Sequence, residues 1–439
     1  MTVWRTGRTA SPPLDGGPAL LLANGQDWLA RMREFCELLW PPPAVVTLGD
    51  DGAHLPHAKG NGQSRASNEA NPADRFVLVP GVGRPPLLVP QANQAAATAV
   101  RHYNAQRSPG GRLTAKLISF CLANGLGRAV PRGRVMVDVP PETDTIEGYL
   151  RAKLSRDVRL SMYLGPARAN RKPVLFLLTP AGDPVAFAKI GVNRLTRELV
   201  RTEHSSLTRL GQLPLTQVTV PRVLHHDQWH GLEILLLSAL PSAERRRSLS
   251  PAKLAAAMNE IARVCGLRRG PLVGSEYLRR LRDRLAASDE GAERDALQRA
   301  LGRVEARAGD AVLNYGSWHG DWTPWNMAST DRGLLVWDWE RFDHGVPLGF
   351  DALHYRLQVE VTPGRHNDPR AVAAKCPETA ARLLAPFGVS ASEARLTATL
   401  YLTELATRYL ADRQARAGAP LGAPGTWLIP AIAAETARM

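Results

Sequence analysis

Lysine is scarce in this chain: seven lysines stand beside 48 arginines among the 55 basic residues. That bias reflects a GC-rich genome more than any activity. Cysteine is scarce too. Cys36, Cys121, Cys265 and Cys376 lie far apart, without the paired spacing of a zinc site or a redox motif. They suit reduced, mostly buried thiols, and a cytoplasmic location is expected. No apolar run nears 18 residues, and Pro18 to Ala23 is too short for a signal-peptide core, so no membrane span is expected. GxxxxGK[ST], HExxH and GxSxG are all missing, which argues against a P-loop NTPase, a zincin and an α/β-hydrolase. No repeat of solenoid period occurs.

What is present describes a globular chain. At 439 residues it has room for two to three domains of about 150 residues each. A hydrophobic fraction of 44% with 22% charge allows real cores. The net charge is +14, and Glu244 to Arg284 holds 11 Lys/Arg against 4 Asp/Glu, a local balance of +7. No nucleic-acid-binding module accompanies that stretch, so no nucleic-acid partner is expected and its arginines are read as coating solvated helix faces. Nothing in the sequence specifies an oligomeric state.

The order of patterns divides the chain. Residues 1–142 read as a small α+β unit of unknown role. In it Trp28, Leu29, Met32, Phe35 and Leu39 recur at helical spacing, 52–74 is a polar loop, and 76–79 and 87–89 form a hairpin. Helices near 91–106 and 113–124 and a short strand at 135–139 complete it. Residues 143–241 begin with an amphipathic linker helix. Strands follow at 160–164, 174–178 and 185–190, then a helix over 194–210, then strands at 218–224 and 232–237. Beyond Pro241, residues 242–439 are mostly helical.

The chemistry concentrates in His319 to Glu340, reading HGDWTPWNMASTDRGLLVWDWE. Asp321 and Asn326 are five apart, and Pro324 between them favours a turn that aims both at one point. Leu334 to Trp337 is an apolar strand that delivers Asp338 at its end, where ligand-binding residues often project. One carboxylate to take a hydroxyl proton, with an amide and a second carboxylate for a metal, is the set that phosphoryl transfer needs. Upstream, strand alternation puts Val185, Phe187 and Lys189 on one face, and a partly buried amine needs an anionic partner. Glu203 shares its helix face with Leu207 and Leu210 and is preferred over Glu198, about 140° away around the helix. His226, Asp227 and His230 have metal-like spacing but fall in a hairpin turn and are read as structural or surface groups. The tryptophans at 318, 322, 325, 337 and 339 are read mainly as packing, with Trp322 or Trp325 as candidates to meet substrate.

Lys189, Glu203, Asp321, Asn326 and Asp338 stand in kinase order. Through His319-Gly-Asp-Trp-Thr-Pro-Trp-Asn326 and Val336-Trp-Asp-Trp-Glu340, residues 158–412 resemble the aminoglycoside phosphotransferase and choline kinase-like family. The resemblance implies an α+β, protein-kinase-like two-lobed fold with a small antiparallel N-lobe and a helical C-lobe, here preceded by the N-terminal unit. It implies Asp321 as base, Asn326 and Asp338 as Mg2+ ligands, Lys189 on the nucleotide phosphates, and His319 and Asp351 supporting the loop. The backbone of Leu235 to Leu240, with Ser238 and Ala239, would meet adenine. The family's acceptor lies in the helical lobe, where Glu340, Asp343, Glu360 and Glu404 are candidate acids for a cationic substrate. One departure stands out: Leu164 to Pro173, where kinases carry a Gly-x-Gly-x-x-Gly loop, has a single glycine, with Arg168, Asn170 and Arg171 as candidate phosphate contacts. The expected activity is transfer of a γ-phosphate from ATP or GTP to a hydroxyl of a small molecule such as an antibiotic, sugar, amino alcohol or natural-product intermediate. The alternatives are a kinase for a peptide or other macromolecule docked by residues 1–142, and a nucleotide-binding regulator without turnover.

Overall fold

The computed structural model describes residues 30–50, 75–81, 84–91, 94–104, 109–126, 133–140, 142–242, 247–331, 333–362 and 367–439. The polar loop at 52–74, Pro18 to Ala23, Trp28, Leu29 and the start of the basic stretch lie outside them. The chain gathers into two compact units. The first takes residues up to 166 together with Lys172–Lys189 and Leu236–Ala239; the second takes Ala167–Arg171, Ile190–Leu235 and Leu240–Met439.

In the first unit, α1 (30–39) buries Met32, Phe35 and Leu39, the helical stripe read from the sequence. Its strands are β1 (Val45–Asp50), β2 (Arg75–Gly81), β3 (Arg84–Pro90), β4 (Gly133–Asp138), β5 (Arg159–Leu164), β6 (Pro173–Leu178) and β7 (Pro184–Gly191), with α2 (Gln94–Asn104), α3 (Pro109–Ala123) and α4 (Ile146–Leu154) between them. The strands pair antiparallel in the order β1-β4-β2-β3-β5-β6-β7. The sheet therefore does not stop at residue 142: Leu87 of β3 lies opposite Tyr163 of β5, and Leu88 opposite Met162. One apolar cluster spans the junction, with Val77, Leu87, Val89, Ala96 and Val100 packed with Phe176 and Leu178. Phe176 and Phe187 stack at 4.5 Å with nearly parallel rings, and Tyr103 stacks on Tyr163 at 5.0 Å. Buried aromatics of this kind supply much of a core's stabilisation. Strand β1 had no counterpart in the sequence reading, because Val45-Val46-Thr47-Leu48 is a short apolar run wedged between prolines and a polar loop.

The second unit begins its ordered chain with α5 (Arg194–Leu210). Asn193 and Thr196 form a reciprocal capping box, which satisfies two of the free N–H groups at the helix start. The helix buries Leu199, Val200, Leu207 and Leu210, and Glu203 lies on that same buried face. Beyond it, β8 (Val218–Thr219) is separate from the hairpin strand β9 (Val223–Trp229), so the single strand expected at 218–224 is broken at Pro221. Two small sheets carry the chemistry-bearing loops. One is β11 (Arg268–Pro271), β12 (Val312–Trp318) and β15 (Asp343–Pro347); the other pairs β13 (Met327–Thr330) with β14 (Gly333–Val336), and β14 runs parallel to β8. Helices α6 (Pro251–Arg263), α7 (Glu276–Ala286), α8 (Ala292–Ala308), α9 (Phe350–Val361), α10 (Pro369–Leu384), α11 (Ala391–Ala411) and α12 (Leu428–Arg438) pack around them.

Four of the eleven basic residues in the basic stretch form ion pairs. Arg247 pairs with Asp331, Arg280 with Asp343 at 2.9 Å, Arg282 with Glu305, and Arg284 with Glu404 at 2.5 Å.

The continuity of the sheet carries a prediction. Deleting residues 1–142 removes β3 and bares the edge of β5 together with the apolar cluster beneath it, a combination that invites strand-to-strand association. The fragment 143–439 is expected to elute as aggregates in size-exclusion chromatography. A monomeric fragment melting at the full-length temperature contradicts this account.

Candidate active site

Strand β12 sets up the site. Leu313, Tyr315 and Trp318 bury themselves, and the chain leaves the strand into His319-Gly320-Asp321. Gly320 has φ +83°, and a Cβ there would meet the Arg341 carbonyl oxygen at 2.2 Å. Only glycine fits both the conformation and the space. Asp351, in the first turn of α9, accepts hydrogen bonds from the His319 N–H at 2.7 Å and the Gly320 N–H at 3.2 Å. Burial raises the Asp351 carboxyl to about 7, against the pull of those two donors. Arg408 of α11 donates to the Gly320 carbonyl at 2.6 Å. The turn is therefore gripped on both its N–H and C=O sides.

His319 is wholly buried. Its Nδ1 accepts from the Asp321 N–H at 3.1 Å, so Nε2 carries the proton and donates to the Trp337 carbonyl at 3.1 Å. Burial holds the imidazole neutral, with its pKa lowered to about 4. The ring tilts against Trp339 at 4.5 Å. Trp322 is fully buried and donates to the Met327 sulfur, which makes it core and removes it as a substrate contact.

The Asp321 carboxylate is 28% exposed. Asn326 Nδ2 donates both to its Oδ2 at 3.0 Å and to its backbone carbonyl at 3.0 Å. The expected turn forms: the Asn326 N–H donates to the Thr323 carbonyl, and the Trp337 N–H donates to the Asn326 carbonyl. On the other side His354 Nε2 lies 3.0 Å from Asp321 Oδ1. Burial pushes the Asp321 pKa up, but the hydrogen bond from His354, with Arg408 nearby, carries it below the usual carboxylate value. A carboxylate that is ionised, partly exposed and held by two donors is suited to receive a proton.

Strand β14 ends at Val336, and Asp338 follows in the left-handed region at φ 73°. A non-glycine residue there costs about 1–3 kcal/mol and persists only when its surroundings hold it. The carboxylates of Asp338, Glu203 and Glu340 offer oxygens that all lie within 4.8 Å of one another. Glu203 is fully buried and accepts from the Trp339 N–H at 3.1 Å, while Glu340 accepts from Asn170 Nδ2 at 3.0 Å. Glu198, the competing helix acid, instead pairs with Arg194 at the surface.

The remaining expected site residues are placed as follows. Lys189 is buried on β7 in the first unit, opposite Val174. Ser238 closes the strand Leu232–Ser238, and the Ala239 N–H, a candidate adenine contact, is directed at the Val185 carbonyl at 3.4 Å. Residues 167–171 lie with the second unit, where the Ala169 N–H donates to Gln414 at 3.2 Å. The four acids expected to line a cationic pocket are engaged: Glu340 in the carboxylate group, Asp343 with Arg280, Glu360 with Arg356 and Glu404 with Arg284. His226 stacks on His204 at 4.1 Å and lies 2.8 Å from Glu233; among the described residues no metal-type cluster includes it.

Residues 172–351 match the family model described as the phosphotransferase enzyme family. The matched segment runs from Lys172, just before β6, to Asp351, and thus includes Lys189 and the whole of His319 to Glu340. No curated protein sequence matches the chain. Among solved structures it is similar to choline kinase LicA from Streptococcus pneumoniae at 17% identity, covering 67% of this chain and 99% of that one, TM-score 0.43. It is also similar to a thermostable mutant of an aminoglycoside phosphotransferase in ternary complex with ADP and hygromycin B, at 12% identity, 66% and 98% coverage, TM-score 0.42. A putative fructosamine-3-kinase from Thermobifida fusca matches at 19% identity, 60% and 98% coverage, TM-score 0.32.

Sequence reasoning missed two participants. Glu340 was read toward the acceptor, although its two-residue spacing from Asp338 was visible. His354 carried a signal as well, since it sits three residues after Asp351 on a helix and so shares its face. The grip on the loop yields a prediction. Asp351→Ala leaves two buried N–H groups unpaired, at about 1–3 kcal/mol each. Chemical denaturation should show a loss of that order, with any nucleotide turnover lost in parallel. Unchanged stability and turnover would remove Asp351 from the site.

Proposed function

We propose that this chain is a magnesium-dependent kinase that transfers the γ-phosphate of ATP or GTP to a hydroxyl of a small molecule. The observation that carries the reading is the pairing of one partly exposed, ionised carboxylate, Asp321, with a separate group of three convergent carboxylates one hairpin further along the chain. Those two features correspond to the two tasks of phosphoryl transfer, taking the acceptor proton and balancing phosphate charge.

A divalent cation fits the residues present. Carboxylate oxygens are the hard donors that Mg2+ prefers, and three of them converge here. Asp338 and Glu340 would hold it, with the Asn326 side-chain oxygen as a further donor, since its amide nitrogen is already committed to Asp321. When bound, Mg2+ supplies charge neutralisation at the β- and γ-phosphates. Lys189 is assigned to the α- and β-phosphates. The backbone of Leu235 to Leu240 is assigned to adenine, through groups other than the Ala239 N–H.

In the reaction Asp321 accepts the proton from the acceptor hydroxyl while that oxygen bonds to the γ-phosphorus. The bond from the γ-phosphorus to the bridging oxygen breaks, and the nucleoside diphosphate leaves with the electron pair. Asn326 and the gripped His319-Gly320 turn keep the base in place, so that little reorganisation is needed as the proton moves.

The engaged state of Asp343, Glu360 and Glu404 bears on the acceptor. A polycation needs several free carboxylates, and each of these is matched to an arginine. A sugar, an amino alcohol or a natural-product intermediate suits that surface better than an aminoglycoside.

Two variants test the assignment. Asp321→Asn should reduce ADP release by at least about 100-fold, the scale of general-base catalysis, while calorimetry shows nucleotide affinity within a few-fold of wild type. Undiminished turnover in that variant contradicts the base. Asp338→Ala should weaken Mg-ATP binding about tenfold or more, and an unchanged affinity contradicts its metal role.

A further inference from the structure

Helix α9 reaches the catalytic loop twice. Asp351 and His354, three residues apart, lie on one face; the first takes the backbone N–H groups of 319 and 320, and the second meets the side chain of 321. His354 is almost fully buried, and behind it Nδ1 lies 3.1 Å from the hydroxyl of Tyr401, on α11, itself without solvent contact. An ionised Asp321 can only accept, so Nε2 of His354 carries the proton. Nδ1 is then an acceptor, filled by the Tyr401 O–H. Tyr401 thus selects the tautomer that His354 needs. Burial keeps the His354 imidazole neutral.

We propose that His354 is a positioning residue: with its tautomer set by Tyr401, it locks the plane of the Asp321 carboxylate so that a lone pair stays aimed at the attacking hydroxyl. Asn326 holds Oδ2 and His354 holds Oδ1, and a carboxylate gripped at both oxygens cannot rotate about its Cβ–Cγ bond. With one grip it turns freely and presents its lone pairs over a broad arc. A base oriented by a third group is a recurring arrangement in enzymes, and its loss acts on turnover more than on binding.

This inference rests on the phosphotransferase reading, and the test separates the two. ADP release from Mg-ATP, with water as the acceptor, is measured for the full-length wild type and for His354→Leu, His354→Gln, Tyr401→Phe and the His354→Leu/Tyr401→Phe double variant. Melting temperatures establish that each is folded. His354→Leu should lower kcat about 30- to 100-fold with KM for ATP within about twofold, because it removes one grip and leaves the rest. His354→Gln, whose side-chain amide can reach where Nε2 stood, should recover to within about fivefold of wild type. Tyr401→Phe should cost about fivefold alone and nothing further in the His354→Leu background, since its effect passes through the imidazole. The inference is overturned if His354→Leu turns over at the wild-type rate, if the glutamine variant falls as far as the leucine variant, or if Tyr401→Phe costs the same in both backgrounds. A wild-type protein that releases no ADP overturns the phosphotransferase reading and this inference with it.

Discussion

Three carboxylates drawn within 4.8 Å of one another are the constraint on which the second unit turns. The fold holds the group together from three directions. Glu203 rides the buried face of α5 and accepts from the Trp339 backbone, Asp338 sits in a left-handed conformation at the end of β14, and Glu340 is met by Asn170. Oxygen donors converging in this way suit a hard divalent cation.

Asp321 stands in a loop held from two sides: Asn326 and His354 on its oxygens, and Asp351 and Arg408 on the backbone just before it. His319 is uncharged and serves by its shape and its two directed hydrogen bonds. Asp321 and the three-carboxylate group are separated along the chain by one hairpin, β13–β14.

Much of this was legible in the sequence because the signals were local. Asp321, Pro324 and Asn326 describe a turn within six residues, and α5 runs from 194 to 210 as its periodicity indicated, with Glu203 rather than Glu198 on the buried face. What escaped was long-range. The pairing of β3 with β5 joins positions about 75 residues apart and makes one sheet of what composition divided at 142. The acids at 343, 360 and 404 looked like a pocket because sequence does not show that an arginine stands against each. Tyr401 meets His354 across 47 residues and two helices, a contact that no spacing rule reaches.

The claim that the convergent carboxylates exist to hold a divalent cation beside a nucleotide is open to direct measurement. Electron paramagnetic resonance of Mn2+, titrated into the full-length protein with a non-hydrolysable ATP analogue, reads the free ion alone. The account predicts loss of the free signal until at least one Mn2+ is bound per chain, with recovery of that signal in Glu340→Gln. A free-ion signal that rises equally in wild type, in the variant and in nucleotide solution without protein would contradict it.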